Sequence, residues 1–186
     1  MKQEKEMKQE KEANKERLRL RCFSAILDAS LVAGWFADEA YEVFFRNVTV
    51  IPTREECANF PSWSQNLTMI VEIESKPGEW FPCGMVVGYH VNLRSRTVKA
   101  GILIDKKLHR LGFGHNAQTL WIDYLFKRLG FRKVVVENIH EHFTKPYQDV
   151  GFTIEGRFIK EHIVGGEYVD EIRMYCFLED WKGTVK

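Results

Sequence analysis

The sequence predicts an α+β domain, with mixed α/β character, built on a mostly antiparallel twisted sheet of about seven strands with helices on its faces. Three observations lead there. Period-two apolar alternation marks strands in the first half, helical spacing appears between about Gly114 and Leu129, and the second half alternates strand and helix. The chain has 186 residues, 45% of them hydrophobic and 13% aromatic, enough for one globular domain with a buried core. With 27 basic and 26 acidic residues it lacks the basic excess of an electrostatic nucleic-acid binder.

Residues 1–12 are a tandem hexapeptide, Met1-Lys2-Gln3-Glu4-Lys5-Glu6 repeated once. It has good helix formers but no apolar face, so residues 1–16 read as a charged, flexible extension, not a secretory signal or a coiled-coil seam. The domain is expected over 17–181, with a tail at 182–186. Arg17 to Cys22 alternates as a half-buried strand. Ser24 can cap a helix whose apolar positions are Leu27, Leu31, Trp35 and Phe36, and Asp38 can cap a second helix ending near Arg46. A short helix and a loop are expected in 52–66.

Thr68–Glu74, Phe81–Leu93 and Thr97–Ile104 read as an antiparallel meander, with a turn at Lys76-Pro77-Gly78-Glu79 and Gly88 as a candidate bulge. The helix that follows puts Ala117, Trp121, Tyr124, Leu125 and Leu129 on one stripe and stops at Gly130. Lys133–Glu137 is a strand and Thr144–Val150 a brief helix. Strands at Thr153–His162 and Tyr168–Phe177 are joined by Gly165-Gly166.

Four scattered cysteines without CxxC spacing read as free thiols of a cytoplasmic protein, and no apolar run is long enough to span a bilayer. His140-x-His142 lacks the partners of a metal site, so no metal is expected.

Gly112-Phe113-Gly114 lies between a strand and a long helix. Glycine permits close backbone approach, and a helix start offers unpaired N–H groups and a positive dipole end, so the loop suits a pyrophosphate. A lone GxG equally marks an ordinary tight turn. The Rossmann pattern fails for want of a preceding βαβ unit and a ribose-binding acid, and the Walker pattern for want of Gly-Lys-Ser/Thr.

Three segments in order carry a family resemblance. His109-Arg110-Leu111-Gly112-Phe113-Gly114 follows Gln/Arg-x-x-Gly-x-Gly/Ala except at His109; Gly101-Ile102-Leu103-Ile104-Asp105 precedes it, and Lys145-Pro146-Tyr147-Gln148-Asp149-Val150-Gly151-Phe152 follows. From Arg17 to Trp181 the chain resembles the GNAT acetyltransferases, especially the ribosomal-protein alanine and spermidine N-acetyltransferase branches. The resemblance implies acetyl-CoA as cofactor and direct transfer to a primary amine of a polyamine, an amino sugar or a protein. It implies cofactor contacts from Ile102, Leu103, Ile104, His109, Arg110, Leu111, Gly112, Phe113, Gly114 and His115, and from Asn138 or His140. It implies carbonyl polarisation by the Leu103 backbone N–H, and Tyr147 as the acid that protonates the thiolate. Pro146 suits only the first turn of a helix, which bears on the geometry at Tyr147. Glu72, Glu74 and His90 are candidate bases that read more readily as surface residues; Asp170 and Glu171 could attract a cationic amine. A homodimer is compatible with the reading. The competing class is a non-catalytic acyl-CoA-binding module on the same fold.

Overall fold

The computed structural model describes residues 18–37, 53–59 and 67–183. The charged extension and the helix expected from Asp38 to Arg46 lie outside them. The elements are β1 (Leu18–Cys22), α1 (Ala25–Phe36), α2 (Arg54–Ala58), β2 (Leu67–Lys76), β3 (Glu79–Asn92), β4 (Thr97–Ile104), α3 (Phe113–Lys127), β5 (Lys133–Asn138), α4 (Thr144–Asp149), β6 (Thr153–Val164) and β7 (Glu167–Phe177). The strands form one sheet in the order β1-β2-β3-β4-β5-β7-β6. Every pairing is antiparallel except β4 with β5. That parallel step is made by α3, which crosses over and returns the chain beside β4.

Each face carries a core. On one, Phe113, Ala117, Trp121, Ile122, Leu125 and Phe126 of α3 cover Val86, Val98, Val134, Val136, Ile172 and Met174. On the other, Ala29, Val32, Trp35 and Phe36 of α1 cover Ile70, Met85 and Val87. The Gly165-Gly166 turn has positive φ at both residues (57° and 83°), the requirement of a tight turn matched to strand twist.

Two expectations are corrected. The buried stripe of α1 is Asp28, Ala29, Val32, Trp35 and Phe36 with Leu31 packed partly buried beside it, whereas Leu27 is 73% exposed. Asp28 is drawn in because the Arg21 guanidinium of β1 bonds both its oxygens, at 2.7 and 2.6 Å. The bulge against β2 lies at Cys83, where Val71 pairs with Gly84 and Glu72 with Pro82; Gly88 pairs regularly with Leu67 and Ala100. Gly84 is needed beside the bulge, because a Cβ there would lie 2.4 Å from the Leu103 carbonyl oxygen.

Candidate active site

β4 and β5 pair only at Thr97–Lys133, Val98–Val134 and Lys99–Val135, although β4 runs on to Ile104 and β5 to Asn138. On its other edge β4 stays paired with β3 as far as Ile104. The two strands therefore part, and the upper half of β4 turns one backbone edge to an opening. The Asp105 N–H donates to the Cys83 carbonyl at 2.8 Å. Strand alternation then sends the Leu103 N–H toward β3 as well, and those of Ile102 and Ile104 toward the opening. The Ile104 carbonyl faces that way too, and accepts from His109 Nε2 at 2.9 Å.

Two corrections follow. The Leu103 N–H belongs to the β3 ladder, and the backbone N–H groups turned to the opening are those of Ile102 and Ile104. The His109 ring has its Nε2 proton committed to the strand end, so in the neutral imidazole no N–H is left for a phosphate.

Below the opening the chain turns through Arg110 (φ 66°) and Gly112 (φ 85°) into α3. Gly112 caps the helix without a side chain, and the first helical bond is Asn116 N–H to the Gly112 carbonyl at 3.3 Å. The N–H groups of Phe113 and Gly114 therefore have no acceptor within the helix, and they point where the dipole is positive. The Phe113 ring is buried and anchors the turn, whereas Arg110, Leu111 and His115 are exposed.

Tyr147 lies on α4, packed against the core of the α3 face. Its ring packs edge-on against Phe152, with centroids 5.1 Å apart, and its hydroxyl has no hydrogen-bond partner among the described residues. Burial pushes the phenol well above its ordinary value, so it stays protonated and able to donate at neutral pH. Pro146 is the third residue of α4, where a helix needs no N–H, so it leaves the geometry at Tyr147 intact. Asn138 continues the Val134–Val136 side of β5 toward α3, and its buried Nδ2 has no partner. His140 is largely exposed and stacked on His142 at 5.4 Å, and partial desolvation of its ring first, then the His142 charge, lower its pKa. Of these two residues, the one beside the opening is Asn138.

The candidate bases lie elsewhere. Glu72 is buried between Arg19 (2.7 Å) and Arg21 (2.6 Å). Burial alone would raise its pKa, but the two guanidinium groups outweigh it and hold the carboxyl below its ordinary value. Glu74 accepts from the Gly78 N–H of its turn at 2.7 Å, and His90 is exposed at a positive φ of 49°. Glu171 is held by Arg173 (3.1 Å) and His162 (2.8 Å), and Asp170 accepts from the Lys160 N–H (2.9 Å). Two further features have no local signature in the sequence. Trp35 Nε1 donates to Asp105 Oδ2 at 3.2 Å, tying α1 to the end of β4. Glu137 gathers Lys99 (2.6 Å), Arg173 (3.0 Å) and Tyr89 (3.1 Å) on the α1 side of the sheet.

The profile of the acetyltransferase (GNAT) domain matches residues 17–143. The chain belongs to the GNAT acetyltransferases. It is similar to the spermidine N(1)-acetyltransferase of Escherichia coli strain K12, 29% identical over 152 residues, covering 81% of this chain and 75% of that protein. In fold it is similar to the spermidine N-acetyltransferase of Vibrio cholerae solved with CoA and spermine, with TM-score 0.76, 20% identity and coverage of 89% and 98%. A chimera of the Vibrio cholerae enzyme aligns with TM-score 0.71 and 24% identity over 88% and 97%. This GNAT protein is an acetyl-CoA-dependent N-acetyltransferase, and the non-catalytic alternative is not favoured. The residues present fit the cofactor: a parted strand pair with one backbone edge turned outward, a glycine-capped helix start, and an orphaned polar atom on Asn138. Among the described residues no helix is long and apolar enough to cross a membrane, and no group of three or more His, Cys, Asp or Glu could hold a metal.

Proposed function

We propose that this GNAT enzyme acetylates a primary amine of a polyamine by direct attack, with both substrates bound together. The carrying observation is the parting of β4 and β5 above the Gly112 turn. Tyr147 of α4, whose hydroxyl no hydrogen bond among the described residues engages, is assigned to face it. Acetyl-CoA supplies an acetyl group activated as a thioester. The N–H groups of Phe113 and Gly114 hold phosphate, helped by Arg110, while Leu111 and His115 border the turn. The backbone of Ile102 and Ile104 hydrogen-bonds within the opening, and its N–H groups are preorganised to stabilise negative charge on a carbonyl oxygen. The ammonium first loses a proton to solvent and attacks as the neutral amine. Tyr147 gives its proton to the departing sulfur as the C–S bond breaks, and the proton lost from the new amide nitrogen returns through water to the phenolate.

The α3 side carries the anion turn, so the amine enters from the α1 side. There Asp105 is the carboxylate at the end of β4, held by Trp35 and by the Lys107 N–H at 2.9 Å. Both donors are neutral, so its negative charge is kept for a cationic amine. A polyamine is favoured over an amino sugar or a protein amine because the relatives that match this chain are named for spermidine. The test is thiol release from acetyl-CoA with spermidine, spermine, an amino sugar and a peptide N-terminus as acceptors. The expected result is the highest kcat/KM with a polyamine; faster turnover of the peptide or the sugar overturns the acceptor assignment.

A further inference from the structure

Four polar side chains end in buried atoms with no hydrogen-bond partner among the described residues. One is Oγ1 of Thr68 on β2; the other three are both amide atoms of Gln118 on α3, Nδ2 of Asn138 on β5 and Oγ1 of Thr144 on α4. Gln118 is only 5% exposed and Thr144 9%. A buried amide left unpaired is costly, so native proteins seldom keep one without a use.

Helical spacing and strand register bring Gln118 and Asn138 to one level of the opening, and Thr144 shares a helix face with Tyr147. Gln118 lies on the α3 stripe of Gly114, Ile122 and Leu125, which faces the sheet. At Gly114 the nearest neighbour of a Cβ would be Ile104 Cγ1, at 3.8 Å. Because α3 runs back along β4, four helical residues, about 6 Å, carry the stripe from Ile104 to the level of Ile102. Extending the Lys99–Val135 register by three residues puts Asn138 at that same level, across the gap where the strands part. Thr144 precedes Tyr147 by three residues and so shares its face of α4.

We infer that Gln118 is a cofactor-binding residue that reads an amide of the pantetheine arm of CoA, with Asn138 and Thr144 completing a polar wall on the α3 side of the opening. The arm carries two secondary amides, each with one N–H donor and one carbonyl acceptor. A carboxamide offers the complementary pair, Oε1 to accept and Nε2 to donate. The phosphates bind at the turn below, so the wall distinguishes the pantetheine arm from bare nucleotide. This inference rests on the proposed mode of cofactor binding.

The test is calorimetric titration of the full chain with CoA and with adenosine 3′,5′-bisphosphate, which lacks the arm, alongside melting of the ligand-free protein. Gln118→Met keeps the length and removes the polar atoms. CoA affinity should fall about three- to tenfold, as for loss of one or two neutral hydrogen bonds, with bisphosphate affinity unchanged within about twofold. The ligand-free Tm should hold or rise, because an orphaned amide has gone. Gln118→Ala serves if the first variant fails to fold. CoA and bisphosphate affinities that fall together, or a CoA affinity that does not fall, overturn the inference. Wild-type protein that does not bind CoA overturns the underlying reading as well, which separates the two failures.

Discussion

At the scale of the residue, chemistry here depends on which polar groups are left uncommitted. Glu72 has the right type for a base, but two arginines hold it; His109 has the right place for a phosphate donor, but its Nε2 proton serves Ile104. Tyr147 is uncommitted, and burial keeps its proton on. Tyr147→Phe removes the hydroxyl and keeps the ring that packs on Phe152. Turnover should fall by about 100-fold or more, the usual worth of a positioned acid, with CoA affinity unchanged in the same titration. Unchanged turnover would remove the proton-donor role. In the sequence Tyr147 is marked only through the family resemblance of the segment from Lys145 to Phe152. Gln118 is not marked at all, since a glutamine on an amphipathic helix is ordinary until its burial is known.

At the scale of the element, most strands and helices follow from local period and punctuation. The order of elements, the Gly165-Gly166 turn and the Gly130 stop all depend on residues close in sequence. The misreadings come from non-local partners. Arg21 pulls Asp28 into the buried face of α1 in place of the expected Leu27, and the bulge sits at Cys83, whose carbonyl accepts from the Asp105 N–H. Gly84 makes the double pairing of β3 with β2 and β4 possible. In Gly84→Ala the new methyl would press on the Leu103 carbonyl, so β3 and β4 must separate or shift. The expected cost is about 1–3 kcal/mol, read as a lower Tm in thermal melts. Because the same stretch of β4 lines the opening, CoA affinity should fall as well. A variant that melts like wild type would show that the ladder relaxes freely at this point.

At the scale of the whole molecule, the sheet is cross-tied by carboxylates buried among cations. Arg21 links β1 to α1 through Asp28 and to β2 through Glu72, while Glu137 on β5 collects Lys99 from β4, Arg173 from β7 and Tyr89 from β3. Asp28, Glu72 and Glu137 each feel burial first, which favours the protonated form. Hydrogen bonds and opposite charges outweigh it, and all three titrate below their ordinary values. A carboxyl depressed in the folded state stabilises the fold above its unfolded pKa of about 4. That stability is lost as pH falls through the depressed folded value. The Tm should therefore drop most steeply on acidification below about pH 4. Glu137→Gln isolates one tie, since it keeps the shape but leaves Lys99 and Arg173 without their shared anion. At pH 7 it should destabilise the protein by about 3 kcal/mol, as breaking a buried ion pair does. Between pH 5 and 3 its Tm should fall less than that of wild type, because the titrating group is gone. Two melting curves that stay parallel over that range would mean that Glu137 has no part in the acid sensitivity.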